Sequence, residues 1–169
     1  MIFDANLLIM AEVYILLGGN VGDKFKIFTE TRKLIGERIG LIIKLSSIYE
    51  SEPWGFESDL FWNQAIIVET SLNPHDILHL TQSIEKTMGR TKISDHYESR
   101  TIDIDILFYN DLELNSSKLI LPHPKMGERR FVLIPLGEIA PEKLHPVTNL
   151  KVKEMLQICT DRLKVERIV

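Results

Sequence analysis

Two aspartates separated by one residue, in the segment RTIDIDILF from Arg100 to Phe108, are the strongest chemical signal in the chain. Successive side chains of a strand point to opposite faces, so Asp103 and Asp105 share one face with Cα atoms about 7 Å apart, while Ile102, Ile104, Ile106 and Phe108 turn to the core. Hard oxygen ligands at that separation suit Mg²⁺, which takes one or two carboxylates and completes its octahedron with water and substrate phosphates. Such a pair can hold one ion or bridge two. Two like charges on one strand face repel unless a cation lies close, and Arg90, Lys92, Arg100, Lys118, Arg129 and Arg130 could supply it. A solvated strand face with scattered basic neighbours is the alternative, and the spacing does not choose between them.

Other residue types fit a nucleotide or a flat heterocycle. Gln82 and Glu85 are three apart on a helical pattern, neighbours on a face away from Ile77 and Ile84, where they could read a base or ribose or simply meet water. Phe61 and Asn63 lie two apart in a strand pattern, pairing an apolar ring with an amide that donates and accepts, unless Phe61 is core. Trp54 beside Pro53 is a lid anchor or an exposed aromatic. Phe131, after Arg129 and Arg130, offers a second ring, and two rings can sandwich a planar ligand. His123 between Pro122 and Pro124 sits on stiff backbone and could contact a phosphate.

Several templates fail. The run GGNVGDK from Gly18 to Lys24 lacks the Gly-Lys-Ser/Thr of a P-loop and the glycine spacing of a dinucleotide fingerprint, and reads as a tight strand-to-helix turn. His75 and His79 lack the HExxH pattern and read as surface residues. The one cysteine, Cys159, allows neither an internal disulfide nor a cysteine-rich zinc site, and points to a reducing, cytoplasmic setting.

The elements that must position these groups follow from periodicity. Val13–Leu17 reads as a central strand. Asp23 caps a helix with inner stripe Ile27, Phe28, Thr31, Leu34 and Ile35. Leu41–Tyr49 and Phe61–Thr70 read as a hairpin with a long loop, and Asn73-Pro74 opens a second helix with stripe Ile77, Leu80, Ile84 and Met88 ending at Gly89. Gly89–Ser99 is polar and aperiodic, Thr101–Tyr109 alternates strictly, and Leu133–Ile139 and Leu150–Ile158 are short helices. The order βαββαβ with a C-terminal helical and loop addition is that of the α+β ferredoxin-like fold, an antiparallel sheet with two helices on one face, which hosts many unrelated functions.

With 169 residues and 44% hydrophobic content the chain makes one domain spanning 1–169, residues 1–10 being an extension ahead of the first strand. No repeat or linker divides it, no apolar run reaches the roughly 18 residues of a membrane span, and the first residues lack the basic start of an export signal. A net charge of −4 argues against nucleic acid as the main partner. Nothing demands a second subunit, so a monomer is expected.

Read together, six stretches resemble the 6-hydroxymethyl-7,8-dihydropterin pyrophosphokinases of folate synthesis: YILLGGNVGD from Tyr14, PWG from Pro53 with FWNQA from Phe61, LHLTQSIEKTMGR from Leu78, SRTIDIDILF from Ser99, LPHP from Leu121, and RRFVLIPLGEIAP from Arg129. The resemblance runs from about Val13 to about Leu156. It implies a ferredoxin-like fold on which ATP, with two Mg²⁺ ions, gives its β,γ-pyrophosphate to the hydroxymethyl group of a reduced pterin, leaving AMP. By matching position, Asp103 and Asp105 would hold both metals. Gln82, Glu85, Arg90, Lys92, Arg100, Ile106, Lys118, His123 and Arg129 would line the nucleotide side, and Ser51, Pro53, Trp54, Phe61, Asn63 and Phe131 the pterin side. Arg90 and Arg100, with Arg129, would stabilise charge on the transferred group and the leaving AMP; no general base stands out. The loops Ser51–Leu60 and Gly89–Ser99 would close over the substrates.

The sequence departs from that pattern in places. Lys92 and Lys118 stand where arginines are frequent, keeping charge but losing the bidentate fork. Phe61 stands where tyrosine can occur, Tyr97 where tryptophan is frequent, and Ser51-Glu52 where a Thr-Pro-like pair is. None removes a metal ligand. Two other classes share features with the chain: a Mg-dependent nuclease or nucleotidyltransferase, which would need a long basic groove, and a non-catalytic small-molecule sensing module, in which the aspartates are incidental.

Overall fold

The computed structural model describes residues 10–90 and 98–168. The proposed N-terminal extension up to residue 9, Lys92, Tyr97 and most of the 89–99 loop lie outside the described residues. The first strand, β1 (Ala11–Gly19), alternates between two apolar sets rather than between apolar and polar residues. Val13, Ile15 and Leu17 join one core, and Tyr14 and Leu16 a second. A strand apolar on both sides must be covered on both sides.

The remaining elements supply that cover. They are α1 (Lys24–Arg38), β2 (Leu41–Leu45), β3 (Tyr49–Ser51), β4 (Phe61–Thr70), α2 (Pro74–Thr87), β5 (Asp103–Tyr109), the short pair β6 (Leu114–Asn115) and β7 (Ile120–Leu121), α3 (Arg130–Ile139), α4 (Val152–Ile158) and β8 (Val165–Arg167). The sheet runs β5-β1-β4, with β2 and β3 both on the outer side of β4 and β8 beyond β3. All these pairs are antiparallel.

Both early helices form as their sequences dictate. Asp23 caps α1 by accepting from Lys26 N at 3.1 Å, and Phe28, Thr31, Leu34 and Ile35 are buried. Asn73 caps α2 by accepting from Asp76 N at 3.0 Å ahead of Pro74, and Gly89, at φ +85°, ends the helix in a conformation that favours glycine. Phe28, Ile35, Ile77 and Ile84 pack under the first face of the sheet. On the other face, Val132, Leu133 and Leu136 of α3 and Val152 and Met155 of α4 enclose the second core. The C-terminal helices therefore pack on the second face of the sheet, which the reading of two helices on one face did not anticipate.

Four further expectations need correction. Gly18 and Gly19 are strand residues and not the turn: Gly18 pairs with Asn63 and with Asp103. A Cβ on Gly19 would fall 2.3 Å from the Thr101 carbonyl oxygen, so glycine is what allows β1 to run on beside that chain. Leu41–Tyr49 is two strands, because at Ser46 the ladder is interrupted: its N–H still donates to the Ala65 carbonyl (2.9 Å), but Ala65 N donates to the Ser46 hydroxyl (2.9 Å) instead of to its carbonyl. Alternation in β5 is not strict. The register with β1 slips between Tyr14 and Ile15, opposite Leu107, and this bulge carries Phe108 to the α3/α4 core instead of the core of Ile104 and Ile106. Finally α3 starts at Arg130, three residues before the expected Leu133, and α4 at Val152 rather than Leu150.

Candidate active site

Asp103 and Asp105 stand at the start of β5, on the face opposite Ile104 and Ile106. The cleft they border continues over Gly18 of β1 to Phe61 and Asn63 of β4 and Ser51 of β3. Gly18 is the floor between the two chemistries, flanked by Asp103 on one strand and Asn63 on the other. Asn63 Nδ2 donates to Ser51 Oγ at 2.8 Å, which leaves Oδ1 beside the floor, 3.5 Å from where a Cβ of Gly18 would sit. Trp54, Arg129 and Phe131 form the opposite wall, with the Arg129 guanidinium 4.9 Å from the Trp54 ring and 5.7 Å from that of Phe131. Pro53, between Glu52 and Trp54, is half-buried.

Asp103 does not face unpaired space. Arg90 Nη1 donates to Asp103 Oδ1, and Arg100 Nη2 lies 3.1 Å from Asp103 Oδ2. Arg90 also pairs with Glu85 at 2.7 Å, and the Arg100 guanidinium lies 5.2 Å over the Phe61 ring. Arg100 Nε is buried with no hydrogen-bond partner among the described residues. Burial, then the neighbouring Asp103, push the Asp105 carboxyl well above the usual carboxylate range, against Arg100, Arg129 and Arg90.

Glu85 is not on an exposed polar face. It is buried beside Thr81 and Ile84, and its Oε1 accepts from Ile104 N at 2.7 Å, so it clamps β5 to α2. Burial and Asp103 push its carboxyl up as well. Gln82, three residues earlier, is exposed and lines a shallow groove with Lys118 and Leu78. A second groove also uses Leu78 and Lys118 and adds Ile106, His123 and Asp105. Asp105 therefore lines both this groove and the aromatic cleft. His123 Nδ1 accepts from Lys125 N at 3.2 Å, which leaves Nε2 to carry the proton of a neutral ring. Burial, then Arg129, hold that ring down at a pKa of about 4.

Asn20 was missed by reading the glycine run as a plain turn. Only 6% exposed, it donates through Nδ2 to Ser58 Oγ, the Asp59 carbonyl and Ser99 Oγ at 3.1–3.2 Å, and accepts from Arg100 N at 2.9 Å through Oδ1. One amide thus ties together the β1–α1 turn, the β3–β4 loop and the approach to β5. The available signal was an amide directly after two glycines. Arg130, counted among the basic neighbours, spends its main-chain N–H on Asp161.

A pair of acids ringed by guanidinium groups, opening on one side to a groove and on the other to a cleft lined by aromatic rings, is the equipment of an enzyme that handles a polyphosphate next to a flat ring. Residues 14–141 match the model of the 7,8-dihydro-6-hydroxymethylpterin-pyrophosphokinase family. The chain is 45% identical over 141 residues to a 2-amino-4-hydroxy-6-hydroxymethyldihydropteridine pyrophosphokinase of Porphyromonas gingivalis, covering 81% of this chain and 95% of the relative. It is 44% identical over 128 residues to that of Bacillus subtilis, covering 75% and 76%. Among solved structures, Plasmodium falciparum HPPK-DHPS superposes with a TM-score of 0.70 at 18% identity, over 88% of this chain, which spans less than half (44%) of that longer one. The chain belongs to the pterin pyrophosphokinase family, the pyrophosphokinases of folate biosynthesis. The nuclease and sensing-module alternatives fall away with that membership.

Proposed function

We propose that the chain moves the β,γ-pyrophosphate of ATP to the hydroxymethyl group of 6-hydroxymethyl-7,8-dihydropterin, releasing AMP. The observation that carries this reading is Asp105 at the junction of two cavities, with the groove of Lys118, Ile106 and His123 on one side and the cleft of Phe61, Asn63 and Phe131 on the other. The transferred group must cross from nucleotide to pterin where the carboxylates stand. The strand order β5-β1-β4-β2, antiparallel throughout, supports a ferredoxin-like assignment. No described helix is long and apolar enough to cross a membrane. The reading sets the reaction in the cytoplasm, with the chain acting as a monomer on two small molecules.

The donor set fits magnesium. Among the described residues no group of three or more His, Cys, Asp or Glu side chains converges, so the protein offers two carboxylates and leaves the other positions to water and phosphate. Asp103 and Asp105 would hold Mg²⁺, two ions by resemblance, which when bound supplies charge neutralisation along the triphosphate and polarises the transferred group. The protein's own groups do the rest. Arg90 and Arg100 bring fixed positive charge to the transferred group, while Arg129, expected on the nucleotide side, stands in the wall of the aromatic cleft beside Trp54 and Phe131. His123 donates from Nε2 to a phosphate oxygen without adding charge. Phe61 and Phe131 sandwich the pterin, while Asn63 Oδ1 and Ser51 read its edge.

Incubation with ATP, Mg²⁺ and the reduced hydroxymethylpterin is expected to yield AMP and the pterin diphosphate. Appearance of ADP would mean transfer of one phosphoryl group and would overturn the proposal. Asp103→Ala is expected to keep the fold and to lose AMP formation by roughly 10²–10³-fold, the cost of removing one charge-organising group; near-normal turnover would refute the metal assignment.

A further inference from the structure

Helix α3 carries Phe131 in its first turn and Arg129 just before it, yet its own N-cap residue, Arg129, makes no side-chain cap. The first N–H groups of a helix need acceptors from elsewhere. One comes from the C-terminal tail: Arg130 N donates to Asp161 Oδ2 at 2.8 Å, and Asp161 Oδ1 accepts from Leu163 N at 3.0 Å. Both carboxylate oxygens are used, and their charge sits at the positive end of the α3 dipole.

The tail then crosses to the opposite wall of the cleft. Glu52 N donates to the Lys164 carbonyl at 3.2 Å, Lys164 N donates to Glu52 Oε2 at 2.9 Å, and β8 pairs with β3 so that Val165 stands opposite Ser51. Ser51 is the residue that orients Asn63. The segment from Asp161 to Val165 therefore joins the start of α3 to the end of β3, the two supports of the aromatic cleft, while none of its own residues lines that cleft. The grooves of Gln82, Lys118 and His123 receive no contribution from it.

We propose that Asp161 is a positioning residue for the pterin: it fixes the first turn of α3, and hence Phe131 and Arg129, against the wall built on β3. The inference rests on the pterin-side reading of Phe61, Asn63 and Phe131. A cap that served stability alone would leave the Michaelis constants untouched or weaken both substrates together. A positioning cap loosens one substrate only.

Steady-state KM for the pterin and equilibrium binding of ATP with Mg²⁺ are to be measured for Asp161→Ala, Asp161→Asn and Phe131→Ala. Asp161→Ala is expected to raise the pterin KM about tenfold, or about 1.4 kcal/mol, the order of a lost cap. ATP binding stays within about twofold. Asn keeps one acceptor for two donors and no charge, so Asp161→Asn is expected in between, about threefold. If the alanine variant does not fold, the asparagine variant decides alone. An unchanged pterin KM in the folded variants, or equal losses for ATP and pterin, would overturn the inference. Should Phe131→Ala leave the pterin KM unmoved, the pterin-side assignment itself falls; if Phe131→Ala raises it and the Asp161 variants do not, only the role of Asp161 falls.

Discussion

Asp105 is where charge is least welcome in the metal-free protein, because it is partly buried and shares its face with Asp103. Its native pKa of about 7 lies above the ordinary value, so the native state holds the proton more tightly than the unfolded chain. That contribution to stability is complete below about pH 4 and is lost as pH rises through the native value. Asp105→Asn is therefore expected to melt above the parent at pH 8 without divalent cations, while AMP formation falls roughly 10²–10³-fold. A lower melting temperature in scanning calorimetry would show that the arginines already compensate the charge. His123 works with the opposite sign. Its native value of about 4 is below the ordinary 6.5, so its contribution is present above pH 6.5 and disappears as pH falls towards 4. His123→Gln is expected to shrink the stability difference between pH 7 and pH 4.5 by roughly 1–3 kcal/mol in urea unfolding. At this scale the paired aspartates were legible because period two suffices to place them, whereas the inward turn of Glu85 was not, since its partners Ile104 and Arg90 come from other elements.

Helices α1 and α2 were legible because each carries its own cap and stripe, as Asp23 and Asn73 show. Strands gave less away. The apolar run from Leu41 to Tyr49 hides the break at Ser46, and the bulge at Leu107 adds a residue without any glycine or proline to announce it. Asn20 belongs to this scale because its work is between elements. Asn20→Ala removes an amide that reaches four partners and is expected to lower kcat/KM about tenfold or more while the far-ultraviolet circular dichroism stays that of the parent. Asn20→Asp, which keeps the acceptor for Arg100 N but loses the donors to Ser58, Asp59 and Ser99, is expected to remain impaired. Full activity in both would mean that the loops find their places without the knot.

On the scale of the whole molecule, the second core and the tail strand were beyond reach of periodicity, because β8 pairs with β3 from more than a hundred residues away and α3 meets the sheet on a face the first five elements leave bare. Long-range closeness also explains Gly19, whose missing side chain admits the Thr101 carbonyl. Gly19→Ala is expected to cost about 1–3 kcal/mol in denaturant unfolding and to lower activity as well, since relief must come from the segment leading into Asp103. The pairing of Arg90 and Arg100 with Asp103 carries one more implication. An arriving polyanion does not summon lone cations out of water; it takes over guanidinium groups that are already matched, so the traffic is an exchange of counter-charges. Dissolved salt weakens the old pairs along with the new ones, and nucleotide capture should vary less with ionic strength than in an enzyme whose basic groups wait unmatched.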